Sequence, residues 1–263
     1  MTAQPARDLD FTPRPGAASA RTMVRSQMLM ELRLLSRNGE QLLLTLVIPL
    51  LLLIMGIRSD AVVDLGPGRS IDIITPGVVA LAVMSASFTS LAIATGFERR
   101  YSVLKRLGAA PLPRWGLLVG KIGAVVVVET VQLLVLTSVA LLVGWHPHGG
   151  WSAFGWLVLL VLLATAAFGS LGLLIAGMLR AEATLAVANL VYVLLLVGGG
   201  LLVPLARYPS STHRILELLP SGALGEGLRD VFAGLPPDMT AIVVLAVWAV
   251  VAGAVTSKTF RWE

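Results

Sequence analysis

The 263-residue chain is 56% hydrophobic and 13% charged, and it has 20 lysines and arginines against 15 acidic residues. Soluble domains carry roughly 25% charged residues, so this composition predicts a membrane protein and argues against a soluble enzyme or domain. The sequence contains no cysteine, which excludes disulfides, thiolate metal sites and a cysteine nucleophile.

The N-terminal part of the chain is polar. Residues 1–18 are rich in proline, alanine and arginine and lack the apolar core of a signal peptide, so we predict a disordered cytoplasmic tail. In residues 19–39, Met23, Met30 and Leu34 share one helical face, and arginines occupy the rest. This pattern predicts a helix lying in the inner membrane interface. A cytosolic helix packed on a partner is the alternative.

Six apolar stretches are each close to the ~20 residues needed to cross the hydrocarbon core. They lie near 41–57, 74–95, 116–143, 156–178, 184–203 and 239–256. With the N-terminus inside, fifteen of the 20 lysines and arginines fall in cytoplasmic segments or at their edge. This asymmetry predicts that both termini are cytoplasmic, residues 257–263 forming the C-terminal tail. No internal repeat is visible, which argues against an inverted-repeat secondary transporter.

A charged island separates the second and third predicted spans. Its apolar side chains recur at the i, i+4, i+7 and i+10 positions of one helical face: Phe97, Tyr101, Leu104 and Leu107. Basic residues occupy the remaining surface, and a glycine and two prolines at 108–113 supply a stop signal. The spacing predicts one amphipathic helix over 97–107, about three turns long.

Residues 204–237 are too structured for an ordinary loop. The pattern predicts two short helices, at 214–219 and 224–232, separated by a break at Pro220. Neither can span a membrane, yet both are rich in apolar residues. The pattern fits a helical hairpin that dips into the outer leaflet and packs against the bundle, since irregular backbone at that depth must be sheltered by protein. A hairpin lying on the surface is the alternative.

Polar side chains within the spans are candidate site residues. Glu129 lies about 20 Å along the third span, near mid-membrane, and Gln132 shares its face. A carboxylate there is costly unless paired or protonated, so Glu129 marks either the substrate path or dimer seam, or a hydrogen bond between helices. For Asn189 and Tyr192 in the fifth span, interhelical hydrogen bonding is favoured over ligand contact. Two histidines near 147 lack a third ligand, and no metal site is expected.

The charged island carries a family resemblance. Phe97-Glu98-Arg99-Arg100, the following Leu-Lys-Arg-Leu-Gly and the run into Lys121 resemble the loop between spans two and three of type-2 ATP-binding-cassette (ABC) export permeases, particularly the daunorubicin/doxorubicin-resistance type. That family often has Gly-Thr-Leu where this chain has Ser-Val-Leu at 102–104. In the family this loop carries the coupling helix that docks on the ATPase. The resemblance therefore implies the following docking residues: Phe97, Glu98, Arg99, Arg100, Tyr101, Leu104, Lys105 and Leu107.

The resemblance implies an all-α polytopic membrane protein whose transmembrane domain covers 19–256. Six transmembrane helices are accompanied by an N-terminal interfacial elbow helix, a cytoplasmic coupling helix and an extracellular re-entrant helical hairpin before the last span. Residues 116–122 lack the spacing and the Ser or Thr of a phosphate loop. The chain is therefore expected to be no enzyme and to bind no cofactor. ATP and Mg would sit on a separate partner subunit.

The implied function is the permease of an ATP-driven exporter that moves an amphipathic drug or lipid-like substrate across the bacterial inner membrane, as in drug efflux and antibiotic resistance. Its expected partners are separate ABC ATPase subunits, a second permease copy or homologue, and membrane lipids, with no nucleic acid. A polysaccharide or glycolipid export permease is the alternative within the family, although 6% aromatic residues argue weakly against a glycan-lined channel. An ion-coupled transporter using Glu129 as its proton site and a non-transporting scaffold are the alternatives from other classes.

Overall fold

The computed structural model describes residue 16 and the ranges 18–57, 69–109 and 111–259, and over these it is helical. Apart from residues 16 and 18, the predicted tail at 1–18 lies outside the described residues. The helices are α1 (Ala20–Arg37), α2 (Gly39–Ile57), α3 (Ser70–Met84), α4 (Leu91–Arg100), α5 (Val103–Gly108), α6 (Arg114–Leu142), α7 (Gly150–Met178), α8 (Ala181–Gly198), α9 (His213–Glu217), α10 (Pro220–Phe232) and α11 (Met239–Thr259).

Within the described residues, five helical rods are long and apolar enough to cross a membrane. They are Ser70–Arg100, Arg114–Leu142, Gly150–Met178, Ala181–Gly198 and Met239–Thr259. They correspond to the second to sixth predicted spans. The first predicted span falls in α2, where the described apolar stretch, Thr45–Gly56, is shorter. The count of six spans therefore stays a prediction.

The N-terminal helix α1 forms within the predicted range 19–39. The Ser19 hydroxyl accepts a hydrogen bond from the backbone N–H of Thr22 and caps its first turn. One face of α1 packs closely along α6, where a Cβ on Gly120 would lie 2.7 Å from Cγ of Gln27. Two polar residues of α1, Gln27 and Glu31, are consequently buried. The interfacial position of this helix stays a prediction.

The centre of the bundle is α3, of which nearly every residue is buried. It continues into α4 through a π-helical segment, Ser85–Ser90, where one extra residue per turn disturbs the α-helical ladder. Opposite this segment α7 carries Gly172, whose missing side chain is needed because a Cβ there would lie 2.7 Å from the carbonyl oxygen of Phe88. The predicted span at 74–95 therefore contains a π segment packed against α7.

The prediction of a single helix over 97–107 is wrong. Helix α4 extends to Arg100, the chain breaks at Tyr101 and Ser102, and α5 is a separate short helix. Ser102 adopts φ +59°, a left-handed conformation that cannot continue a right-handed helix and is uncommon for a residue other than glycine.

The region 204–237 also departs from its predicted boundaries. Helix α9 is a single turn, and α10 starts at Pro220 where we expected a break between helices. Proline suits the first position of a helix because its φ is already helical and its missing N–H has no partner there. Helix α10 is buried along most of its length against α3, α7, α8 and α11. Its placement inside the bundle fits the hairpin better than the surface alternative, although its depth in a membrane stays a prediction.

Candidate functional site

The basic loop, residues 97–109, is fastened to the bundle by its arginines. Nη1 of Arg99 donates to the carbonyl oxygens of Gly177 at 2.8 Å and Leu179 at 3.3 Å. Carbonyls at the end of a helix such as α7 lack partners within the helix, so the guanidinium supplies them. Arg100 forms an ion pair with Glu182 in the first turn of α8. The loop is thus tied to the junction between two long helices.

A buried group of three charges ties the same loop to two further helices. Lys121 of α6 is 1% exposed, and its Nζ lies 2.6 Å from Oε2 of Glu98 and 2.9 Å from Oε1 of Glu31. Nε2 of Gln27 also donates to Oε1 of Glu31, at 2.7 Å. We call Glu31, Glu98 and Lys121 the charge triad. It joins α1, α4 and α6 at one point and carries one positive and two negative groups.

The apolar face predicted for docking is divided by the fold. Leu104 is completely buried in a cluster that includes Leu117 of α6 and Leu173 of α7, and Leu107 packs against this cluster. Phe97 is half-buried, and its ring stacks on Tyr101 with centroids 6.5 Å apart. Tyr101 itself is 66% exposed. The exposed residues of the basic loop are Arg100, Tyr101, Ser102, Lys105, Arg106, Gly108 and Ala109, and the first five of these are called its outward surface.

A groove of about 640 Å³ opens between α2, the rod Ser70–Arg100 and α8. Asn189 and Tyr192 line it on the α8 side, so two of the four polar span residues that are candidates for the substrate path or dimer seam face this space, although hydrogen bonding between helices is favoured for them. Leu81 and Glu98, which also line it, are about 25 Å apart along the rod. We call this cavity the lateral groove.

The other two predicted residues lie within the bundle. Glu129 is 1% exposed, and its Oε2 accepts a hydrogen bond of 2.5 Å from the Thr165 hydroxyl of α7. Nε2 of Gln132 donates to the backbone carbonyl of Thr45 in α2, at 2.6 Å. Neither is among the described residues that line the lateral groove. In this conformation both side chains connect helices, the second of the two interpretations open for Glu129.

The charge triad was missed by reasoning from the sequence. In the sequence Lys121 stands out as the end of the motif that carries the resemblance and as the inner end of a span, and no pattern singles out Glu31. One signal was available: a lysine inside an apolar helix needs an acidic partner, because burying it alone is costly. The sequence offers several carboxylates on flanking segments and no means of choosing among them.

Comparisons with known proteins agree with this architecture. Residues 20–233 match the model of the family described as ABC-2 type transporter, which is well over half of the chain. YvfS of Bacillus subtilis (strain 168), itself a predicted transport permease, is 26% identical over 172 residues, which cover 62% of this chain and 66% of YvfS. The helical rods long enough to span a membrane and the family match together indicate a multi-pass membrane protein. This chain belongs to the ABC-2 type transporter family, whose members are membrane transport components that normally pair with ATPase subunits.

Proposed function

We propose that this chain is the permease subunit of an ATP-driven exporter, and that a separate ATPase docks on the outward surface of the basic loop. The observation that supports this most is the fastening of the loop. Arg99 and Arg100 link it to α7 and α8, and Glu98 links it to Lys121 of α6 and through that lysine to α1. The buried Leu104 side chain adds contacts with α6 and α7, so a force on the loop reaches four helices. ATP and Mg belong to the partner subunit.

The lateral groove is the proposed path for an amphipathic drug or lipid-like substrate, as in permeases of the daunorubicin-resistance type. Its walls combine apolar side chains with hydroxyl and amide groups, which suits a molecule having both characters. On α2 and α8, which wall the groove, Ile48, Leu51, Leu190 and Val193 are at least half exposed. A second permease copy packing on these faces would close the groove against lipid. Both termini are proposed to face the cytoplasm of a bacterial cell, across its inner membrane.

Docking is tested with the double variant Tyr101→Ala/Arg106→Ala, co-expressed with an ABC ATPase subunit that co-purifies with the wild-type chain. Both side chains are exposed, so the variant should fold normally. Leu104 is not chosen because its side chain is buried, and truncating it would lower stability as well as any docking affinity. Aromatic and arginine anchors at interface centres commonly cost 2 kcal/mol or more on truncation, roughly thirtyfold in affinity. The variant should lose co-purifying ATPase and ATP-dependent export while inserting normally.

The matched control is Trp151→Ala, an aromatic side chain that is 89% exposed at the opposite end of the bundle. It should retain the ATPase. Full ATPase retention and export by the double variant would show that the basic loop is not the docking element. If the double variant and Trp151→Ala lose the ATPase equally, the cause is general destabilisation. That result would also refute docking on the basic loop.

A further inference from the structure

The lateral groove has one charged residue in its described wall. That residue is Glu98, the one carboxylate in the described lining. The other polar groups of the lining are uncharged amides, hydroxyls and phenols. The side chain of Glu98 is 17% exposed, so it is reachable from the groove. An anionic molecule in this space would meet a negative wall, whereas a cation would meet a counter-charge.

The charge triad as a whole is left with a negative excess, although Lys121 pairs directly with Glu98. Lys121 lies behind Glu98, buried away from solvent, and it is shared with Glu31 at a similar distance. One positive and two negative groups leave an excess of one negative charge, and Glu98 is the member of the triad that lines the groove. Arg100, two residues further along the chain, is itself paired with Glu182 and is not part of the described lining.

Two aromatic rings stand beside Glu98 in the wall. Phe97 and Tyr101 both line the groove and stack on each other at an interplanar angle of 21°. Aromatic faces attract organic cations through their quadrupole, and a carboxylate beside them adds direct charge attraction. Farther along the groove, Ile48, Leu81 and Ile93 offer apolar contacts for the remainder of such a molecule.

From this arrangement we propose that the lateral groove binds hydrophobic organic cations, with the positive centre against Glu98 and the rings of Phe97 and Tyr101. The inference rests on the proposed function in that the groove is the same, and it adds the charge of the ligand. The acidic side chain discriminates by charge, and the apolar wall accepts a range of shapes.

The probes are tetraphenylphosphonium and tetraphenylborate, which have nearly the same size and shape and opposite charge. Binding of each to the full chain in nanodiscs of zwitterionic lipid is measured by equilibrium dialysis, with empty nanodiscs subtracted. Wild-type protein should bind the phosphonium more tightly than the borate. Glu98→Gln removes the charge attraction and should weaken phosphonium binding on the order of tenfold, leaving borate binding unchanged or stronger. This variant should fold, because Lys121 keeps its contact with Glu31 at 2.9 Å.

Glu182→Gln is the matched control, since it removes the same charge from an exposed ion pair outside the described groove lining. It should leave both probes unaffected. If Glu98→Gln does not fold, Tyr101→Leu replaces it, because that ring is exposed and its loss should weaken phosphonium binding roughly two- to fivefold through the cation–π contact alone.

Equal binding of the two probes to wild type, or unchanged phosphonium binding in the folded Glu98→Gln variant, would overturn the proposal. For Tyr101→Leu, unchanged phosphonium binding would do the same. These measurements need no ATPase, so they are independent of the export test. Export without charge preference would refute the cation site and leave the proposed function standing, whereas charge-selective binding without ATP-dependent export would do the reverse.

Discussion

Removing the cation of the charge triad is the sharpest test of the fold. Lys121→Met keeps the length of the side chain and its apolar contacts but leaves Glu31 and Glu98 facing each other, each having lost a partner at 2.9 and 2.6 Å. Removing one partner of a buried ion pair typically costs about 3–5 kcal/mol, because the remaining charge stays buried without compensation. Here two carboxylates remain, so we expect the upper part of that range.

The assay is thermal unfolding of the purified protein in detergent. At roughly 2–4 °C per kcal/mol for a chain of this size, the midpoint should fall by about 8–20 °C. The triple variant Glu31→Gln/Lys121→Met/Glu98→Gln removes all three charges at nearly constant volume and should recover most of that loss, since neutral replacement of a buried ion group is often close to neutral in stability. Wild-type stability in Lys121→Met, or a triple variant less stable than the single one, would refute the reasoning.

Two further perturbations probe the centre of the bundle. Gly172→Ala places a Cβ 2.7 Å from the Phe88 carbonyl and should lower the free energy of unfolding by about 1–3 kcal/mol. The control is Gly155→Ala in the same helix, where the added Cβ meets nothing within 4 Å. This change should be neutral or stabilising by up to about 1 kcal/mol. Identical melting curves for the two variants would contradict the close approach at the π segment. Glu129→Gln retains an oxygen acceptor for Thr165, so it should change the free energy of unfolding by less than about 1 kcal/mol. It should change export by less than about twofold, because Glu129 is not among the described residues that line the lateral groove. Loss of export by folded Glu129→Gln protein would return this carboxylate to the transport path.

The sequence by itself determined the class of protein and the positions of its long helices. Apolar runs of about 20 residues report directly on a hydrocarbon environment, and five of the six predicted runs appear as helices long enough to cross it. The motif at 97–121 led to the family that the comparison then confirmed. These properties are local, since each is contained within a few turns of chain.

Only the tertiary structure decided how the predicted residues are used. The spacing of Phe97, Tyr101, Leu104 and Leu107 predicted one helical face, yet the left-handed Ser102 breaks the helix and Leu104 is buried in the protein's own core. The docking role of Glu98 stays a prediction, and the structure adds that its carboxylate pairs with Lys121, 23 residues further along the chain. Such pairings join segments far apart in the chain. They depend on how helices pack, and helical periodicity along one segment contains no information about which distant segment it will face.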